Sequence, residues 1–228
     1  TVKEVKGWEL EPNRHHILFP FEAHNQDFAM PKHATEDYLK VAGYYLAEGS
    51  IANEPRVAFS FHSNETELHT DLTKSLKRLY PSKRVSAKKH NKRNGLDIWI
   101  SSADLKRKLL NDFGRGSSKK AIPPWLLFAK PEVLTPLVQS MWAGDGCNMK
   151  NGKGLSYTTT SEVLASNLYF ILRKFGIVPT ITVEKKNSND GCNRKPQWKV
   201  RVENDQYVQK LCTLLGEQNH KPAIAQFI

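Results

Sequence analysis

Cysteine is scarce: the chain of 228 residues has 3, at Cys147, Cys192 and Cys212. An odd count with no C-x-x-C pair argues against both a disulfide framework and a structural zinc site. His15, His16 and His24 lack a fourth ligand at zinc-like spacing. No apolar run approaches the about 18 residues of a membrane span. The charged stretch from Thr1 to Leu10 has no signal-peptide core. The expectation is a soluble, intracellular (cytoplasmic) protein with no membrane partner. There is no Walker loop or dinucleotide fingerprint, and Gly152-Lys153-Gly154 reads as a turn. Acids are also in deficit, 23 Asp and Glu against 34 Lys and Arg, which gives a net charge of +11. That excess favours a polyanion, most often nucleic acid, with an acidic membrane surface as the rival.

What is present is an internal repeat, the feature that fixes architecture earliest. Val41-Ala42-Gly43-Tyr44-Tyr45-Leu46-Ala47-Glu48-Gly49 and Val138-Gln139-Ser140-Met141-Trp142-Ala143-Gly144-Asp145-Gly146 are both apolar runs closed by one acid and one glycine. A helix that is apolar nearly all round is buried. Thr35 is a plausible N-cap with Glu36 and Asp37 in the first turn. The second helix is expected to start at Thr135-Pro136, with Pro131 as the earlier alternative. Gly43 with Ala47, and Ser140 with Gly144, place small residues four apart, so two backbones can approach closely. Glycine inside a helix costs about 1 kcal/mol relative to alanine, and close packing is a reason to accept it. Gly49 and Gly146 are expected to end the helices as C-caps.

The similarity runs on. Val57 to Phe61 and Leu155 to Thr159 have strand character. Leu68, Leu72, Leu76 and Leu79 then match the helical pattern of Leu164, Leu168, Ile171, Leu172 and Phe175. Basic segments follow, leading into Leu96–Ile100 and Trp198–Val202, the first through Asn94-Gly95, a hairpin cue. Short amphipathic helices ending at Gly114 and Gly216 close the halves. Each half therefore reads helix, two strands, helix, two strands, helix. This is an α+β fold of two pseudo-symmetric αββαββα repeats, at about 35–127 and 130–228, with residues 1–34 outside them. Packed side by side, the motif helices would bring Glu48 and Asp145 to one end of a shared interface. Helix C-termini disfavour carboxylates, and paired carboxylates repel. A divalent cation between them makes sense of the arrangement.

Both motifs resemble the LAGLIDADG motif of homing endonucleases in the two-copy, single-chain form. The resemblance covers about Thr35 to Ile228. It implies a monomer in which each four-stranded antiparallel sheet forms part of a saddle over double-stranded DNA. It also implies a double-strand break with short 3′ overhangs. Glu48 and Asp145 are then the metal-binding acids, with Ala47 and Gly144 beside them in the metal set. The ion is Mg²⁺, with Mn²⁺ as a substitute. Glu48 departs from the family's common aspartate but supplies the same oxygens. Lys120, in Lys120-Ala121-Ile122-Pro123, matches the family's basic residue, although Lys119 is adjacent; Lys221, in Lys221-Pro222-Ala223-Ile224, is the looser second copy.

Alternation along the strands sends one set of side chains toward DNA. The basic candidates are Arg56, His62, Arg84, Lys88, Lys89, Lys92 and Arg93 in the first half, and Lys186, Lys195, Lys199 and Arg201 in the second. Ser60, Ser86, Asp97, Trp99, Thr158, Thr180, Thr182, Glu184 and Gln197 accompany them. Leu18-Phe19-Pro20 resembles the segment before an intein endonuclease insert, so residues 1–34 are expected to be a linker or an intein remnant. The alternatives within the family are a regulator or an RNA maturase that binds without cutting.

Overall fold

The computed structural model describes residues 30–90, 94–149, 154–184 and 195–216. Lys92, Arg93, Lys186, Lys221, Cys192, the N-terminal histidines and Leu18–Pro20 lie outside the described residues. In chain order the first repeat is α1 (Glu36–Glu48), β1 (Gly49–Ile51), β2 (Arg56–His62), α2 (Thr66–Leu79), β3 (Val85–Lys89), β4 (Gly95–Ser101) and α3 (Ala103–Phe113). A short helix, α4 (Pro124–Leu127), connects it to the second. That repeat is α5 (Pro131–Asp145), β5 (Gly146–Asn148), β6 (Leu155–Thr159), α6 (Glu162–Lys174), β7 (Thr180–Glu184), β8 (Gln197–Val202) and α7 (Asp205–Leu215).

The two four-stranded antiparallel sheets have the same order, β1-β2-β4-β3 and β5-β6-β8-β7. Alternation decides their faces. Val57, Phe59, Phe61, Ile98 and Ile100 are buried on one side of the first sheet, and Leu155, Tyr157, Val200 and Val202 on one side of the second. Arg56, Ser60 and His62 alternate with the buried residues of β2 and are exposed. The sheets thus bury one face against helices and leave the other open.

α1 begins where Thr35 Oγ1 accepts the Tyr38 N–H at 3.3 Å. α5 begins at Pro131, not at Thr135-Pro136. Proline at the first helical position loses no intrahelical bond, and fully buried Leu134 holds the extra turn to the core. Pro136 is then carried inside the helix.

The terminal glycines end the helices as expected, under a different constraint from the usual one. Gly49 and Gly146 have φ of −83° and −71° with extended ψ, not the left-handed conformation of a glycine C-cap. Each motif helix runs directly into a strand. The demand for glycine is steric: a Cβ would lie 2.4 Å from Tyr45 Cδ2 at position 49 and 2.1 Å from Trp142 Cδ1 at position 146. The left-handed role falls to Gly114 and Gly216, at φ of +77° and +69° after α3 and α7.

Candidate active site

α1 and α5 form the seam between the repeats. A Cβ on Gly43 would sit 2.5 Å from the Leu137 carbonyl oxygen and 2.7 Å from Ser140 Cβ. A Cβ on Gly144 would sit 2.5 Å from Ala47 Cβ, 3.2 Å from Glu48 Cγ and 3.8 Å from Glu48 Oε1. Small residues therefore face small residues at two levels, and backbone approaches side chain with no room for a methyl group. Gly144 directly precedes Asp145, so both acids lie at the same end of the seam.

Lys120 enters this end from the segment after α3. Its ammonium donates to the carbonyls of Tyr45 and Leu46 (3.2 Å) in the last turn of α1 and of Gly49 (2.8 Å) at the start of β1. It also lies 4.6 Å from the Tyr45 ring centroid. A cation at a helix C-terminus offsets the negative end of the macrodipole. Only 4% of Lys120 is exposed, and burial pushes its amine down to about 8 while the charges of Asp145 and Glu48 pull it up. The segment is clamped to the second repeat, where Ser161 Oγ donates to the Lys120 carbonyl at 2.7 Å and the Ile122 N–H donates to Asn167 Oδ1 at 2.9 Å. A cleft of about 320 Å³ opens beside the lysine, lined by Glu48, Gly49, Ser50, Arg115, Ser117 and Lys120 among others.

Strand register assigns the DNA-contact candidates to faces. On the open face of the first sheet Lys88 pairs with Asp97, Ser86 with Trp99, and Asp97 with Ser60. Arg56 lies on that face with its guanidinium 5.6 Å from the Trp99 ring centroid. His62 is exposed at its end. Asp97 accepts from Ser60 Oγ at 2.8 Å and lies 3.1 Å from His90 Nε2. Lys89, paired with Leu96, belongs to the helix-side face despite its exposure. Arg84 is exposed just ahead of β3. In the second sheet Lys199 and Arg201 share the open face with Thr158, Thr180, Thr182, Glu184 and Gln197. Glu184 Oε1 lies 2.7 Å from Lys199 Nζ and 3.7 Å from Arg201 Nη2. Lys195 reaches across to the first repeat and donates to Ser118 Oγ at 2.9 Å.

Two groups at the acid end were not singled out by the sequence. Arg115 lines the cleft and donates to Asn53 Oδ1 at 3.2 Å. Tyr157, fully buried, stands opposite Gly146 in the ladder, and burial raises its phenol well above the usual range, with Asp145 and Glu48 adding to the rise. Aligning the repeats residue by residue would have flagged it, because Phe59 occupies the same ladder position opposite Gly49.

Among the described residues no group of three or more His, Cys, Asp and Glu could hold a metal ion by itself. The acid end thus offers two carboxylates, Glu48 and Asp145. Such a pair fits a hard divalent cation that retains waters or takes further oxygens from a phosphate substrate. No helix among the described residues is long and apolar enough to cross a membrane.

Residues 132–216 match the family model described as a LAGLIDADG-like domain. Over 177 residues, 75% of this chain, the sequence is 28% identical to 16% of the ATP-dependent DNA helicase Hel308 of Thermococcus kodakarensis. It is 30% identical over 158 residues, 65% of this chain, to 18% of an iron-sulfur cluster assembly SufBD family protein of Mycobacterium tuberculosis. The chain thus spans less than a fifth of the length of either curated relative. Among solved structures, I-DmoI in complex with DNA and Ca superposes with a TM-score of 0.61 at 12% identity, covering 86% of this chain and 98% of that one. Full-length DUF199/WhiA from Thermatoga maritima superposes at 0.58 with 16% identity, covering 88% and 62%.

Proposed function

From a chain whose residues 132–216 form a LAGLIDADG-like domain and whose paired repeats carry the LAGLIDADG fold, we propose a site-specific homing endonuclease that breaks both strands of a long DNA target by metal-dependent phosphodiester hydrolysis. The observation that carries this reading is the convergence of Glu48 and Asp145 at one end of the α1–α5 seam, beside a buried lysine.

Glu48 and Asp145, with Ala47 and Gly144 beside them, would hold Mg²⁺ or Mn²⁺. When bound, such an ion polarises a scissile phosphate and makes water a better nucleophile. The chain's own part is positioning and charge. The close approach of Gly144 to Ala47 and Glu48 supports a seam that would hold the two acid-bearing helix ends together. Lys120 places positive charge next to them and favours anionic oxygens nearby. Lys221 would do the same for the second half. Each half would serve one strand, leaving short 3′ overhangs.

Lys88, Arg56, His62, Lys199 and Arg201 would face the duplex from the open sheets, and Arg84, Lys92, Arg93, Lys186 and Lys195 from the adjoining segments. Lys89 fits a phosphate contact at the sheet edge better than base reading. One chain carries both acids, so a monomer suffices. The division at 35–127 and 130–228, with 1–34 as a linker or intein remnant, completes the proposal. A segment shared by small fractions of a helicase and an iron-sulfur assembly protein supports a module carried within hosts of unrelated activity.

The likeness to DUF199/WhiA, not named as an endonuclease, favours a second reading. In it the fold binds DNA, or RNA as a maturase, without cutting. Selection from a random duplex library in Mg²⁺ and in Ca²⁺ separates the two. The first reading expects recovered duplexes cut in both strands in Mg²⁺. Duplexes bound but left intact in Mg²⁺ establish the second.

A further inference from the structure

The two acids sit in unequal surroundings. Tyr45 and Trp142 hold corresponding positions one turn before the acids, and Phe59 and Tyr157 corresponding positions across the ladder from the glycines. In the first repeat every donor of this quartet is accounted for. Tyr45 donates its hydroxyl to the Gly114 carbonyl at 2.5 Å, and Phe59 has none to place. In the second repeat Trp142 and Tyr157 are both fully buried, with ring centroids 5.9 Å apart, and neither Trp142 Nε1 nor the Tyr157 hydroxyl has a well-formed hydrogen bond. Native interiors rarely leave two donors unpartnered side by side. A phenylalanine would fill the Tyr157 site at least as well, as Phe59 does in the other repeat. The hydroxyl therefore serves no packing need.

What lies beside it is Asp145: Tyr157 stands opposite Gly146, the next residue in the chain, and the charge of the Asp145 carboxylate helps to raise the phenol. A carboxylate that binds a metal through one oxygen has lone pairs left for an outer donor, and such donors fix the orientation of the ligand. We propose that Tyr157 is a positioning residue for Asp145: its hydroxyl is held in reserve for the carboxylate in its metal-bound orientation. Because Glu48 has no counterpart donor from position 59, the two halves then process their DNA strands at unequal rates. This inference rests on the endonuclease reading and adds to it a strand bias written into the core.

The test is Tyr157→Phe, which removes one oxygen from a site that already accepts phenylalanine in the other repeat. Three quantities are compared with wild type: thermal unfolding without metal, Mn²⁺ affinity by titration calorimetry without DNA, and strand-resolved cleavage of an end-labelled duplex recovered by the library selection. The expectation is an unfolding temperature equal to or above wild type, Mn²⁺ binding weakened about tenfold, and about tenfold slower cleavage of one strand with the other unchanged. A variant that unfolds earlier yet binds Mn²⁺ and cuts both strands as wild type does would make Tyr157 a plain core residue and overturn the inference. Equal slowing of both strands would overturn the strand bias. A wild type that cuts neither strand would overturn the endonuclease reading and this inference with it. A wild type that cuts while Tyr157→Phe matches it in all three quantities would overturn this inference alone.

Discussion

Lys120 carries a charge into an almost closed place. Its three N–H groups are engaged by the carbonyls of Tyr45 and Leu46 in α1 and of Gly49 at the start of β1, so its effect on the acids is exerted through position and field. Burial outweighs the two nearby carboxylates and lowers the amine from 10.5 to about 8. The protonated form is thus disfavoured by folding. Below pH 8 that cost is present in full. Between pH 8 and 10.5 the folded chain releases a proton that the unfolded chain keeps, so the cost fades as pH rises. Its size is on the order of 3 kcal/mol. Urea unfolding of wild type and Lys120→Met at pH 7.5 and pH 10.5 checks this. Wild type is expected to gain on the variant at the higher pH by up to about 3 kcal/mol. A difference independent of pH would count against a buried, charged Lys120.

At the scale of elements, the seam depends on matched absences of side chain. Gly144→Ala, which helix propensity alone would make stabilising by about 1 kcal/mol, is expected to destabilise by about 1–3 kcal/mol through overlap with Ala47 and Glu48. Ala47→Gly in the same chain removes the atom at 2.5 Å and should restore part of the loss. Denaturant midpoints for the two single variants and the double variant give the coupling. Additive losses would mean that positions 47 and 144 do not meet.

The elements themselves were legible in the sequence because two copies spoke for each. Val57–Phe61 and Leu155–Thr159 alternate, Leu68–Leu79 and Leu164–Phe175 keep helical spacing, and Gly114 and Gly216 stop their helices. Single-copy features were harder. Pro136 reads as a first-turn proline, because nothing local reveals that burying Leu134 extends the helix upstream. Gly49 and Gly146 read as the glycines that end the motif helices, as they do, but the rings of Tyr45 and Trp142 that exclude a side chain there do not show in the sequence. At the site, the motif spacing pointed to Glu48 and Asp145, and the Ile122-Pro123 context to Lys120. Tyr157 was hidden because its place in an alternating strand already accounted for it. Lys89 looked equivalent to Lys88 until register put the two on opposite faces.

For the molecule as a whole, two open sheets and a net charge of +11 flank a seam whose one end gathers the acids. In the proposed reading, binding surface and reactive centre are separate parts, joined through α1 and α5 and the strands that follow them. Charge removal at the acids should therefore leave DNA binding intact, because the basic open faces stay as they are. The most direct measurement is cleavage and binding of one recovered duplex by wild type, Glu48→Gln and Asp145→Asn in Mg²⁺. The account predicts that wild type makes a double-strand break, while each variant binds within about threefold of wild type and makes none. Full double-strand cutting by either variant would contradict it.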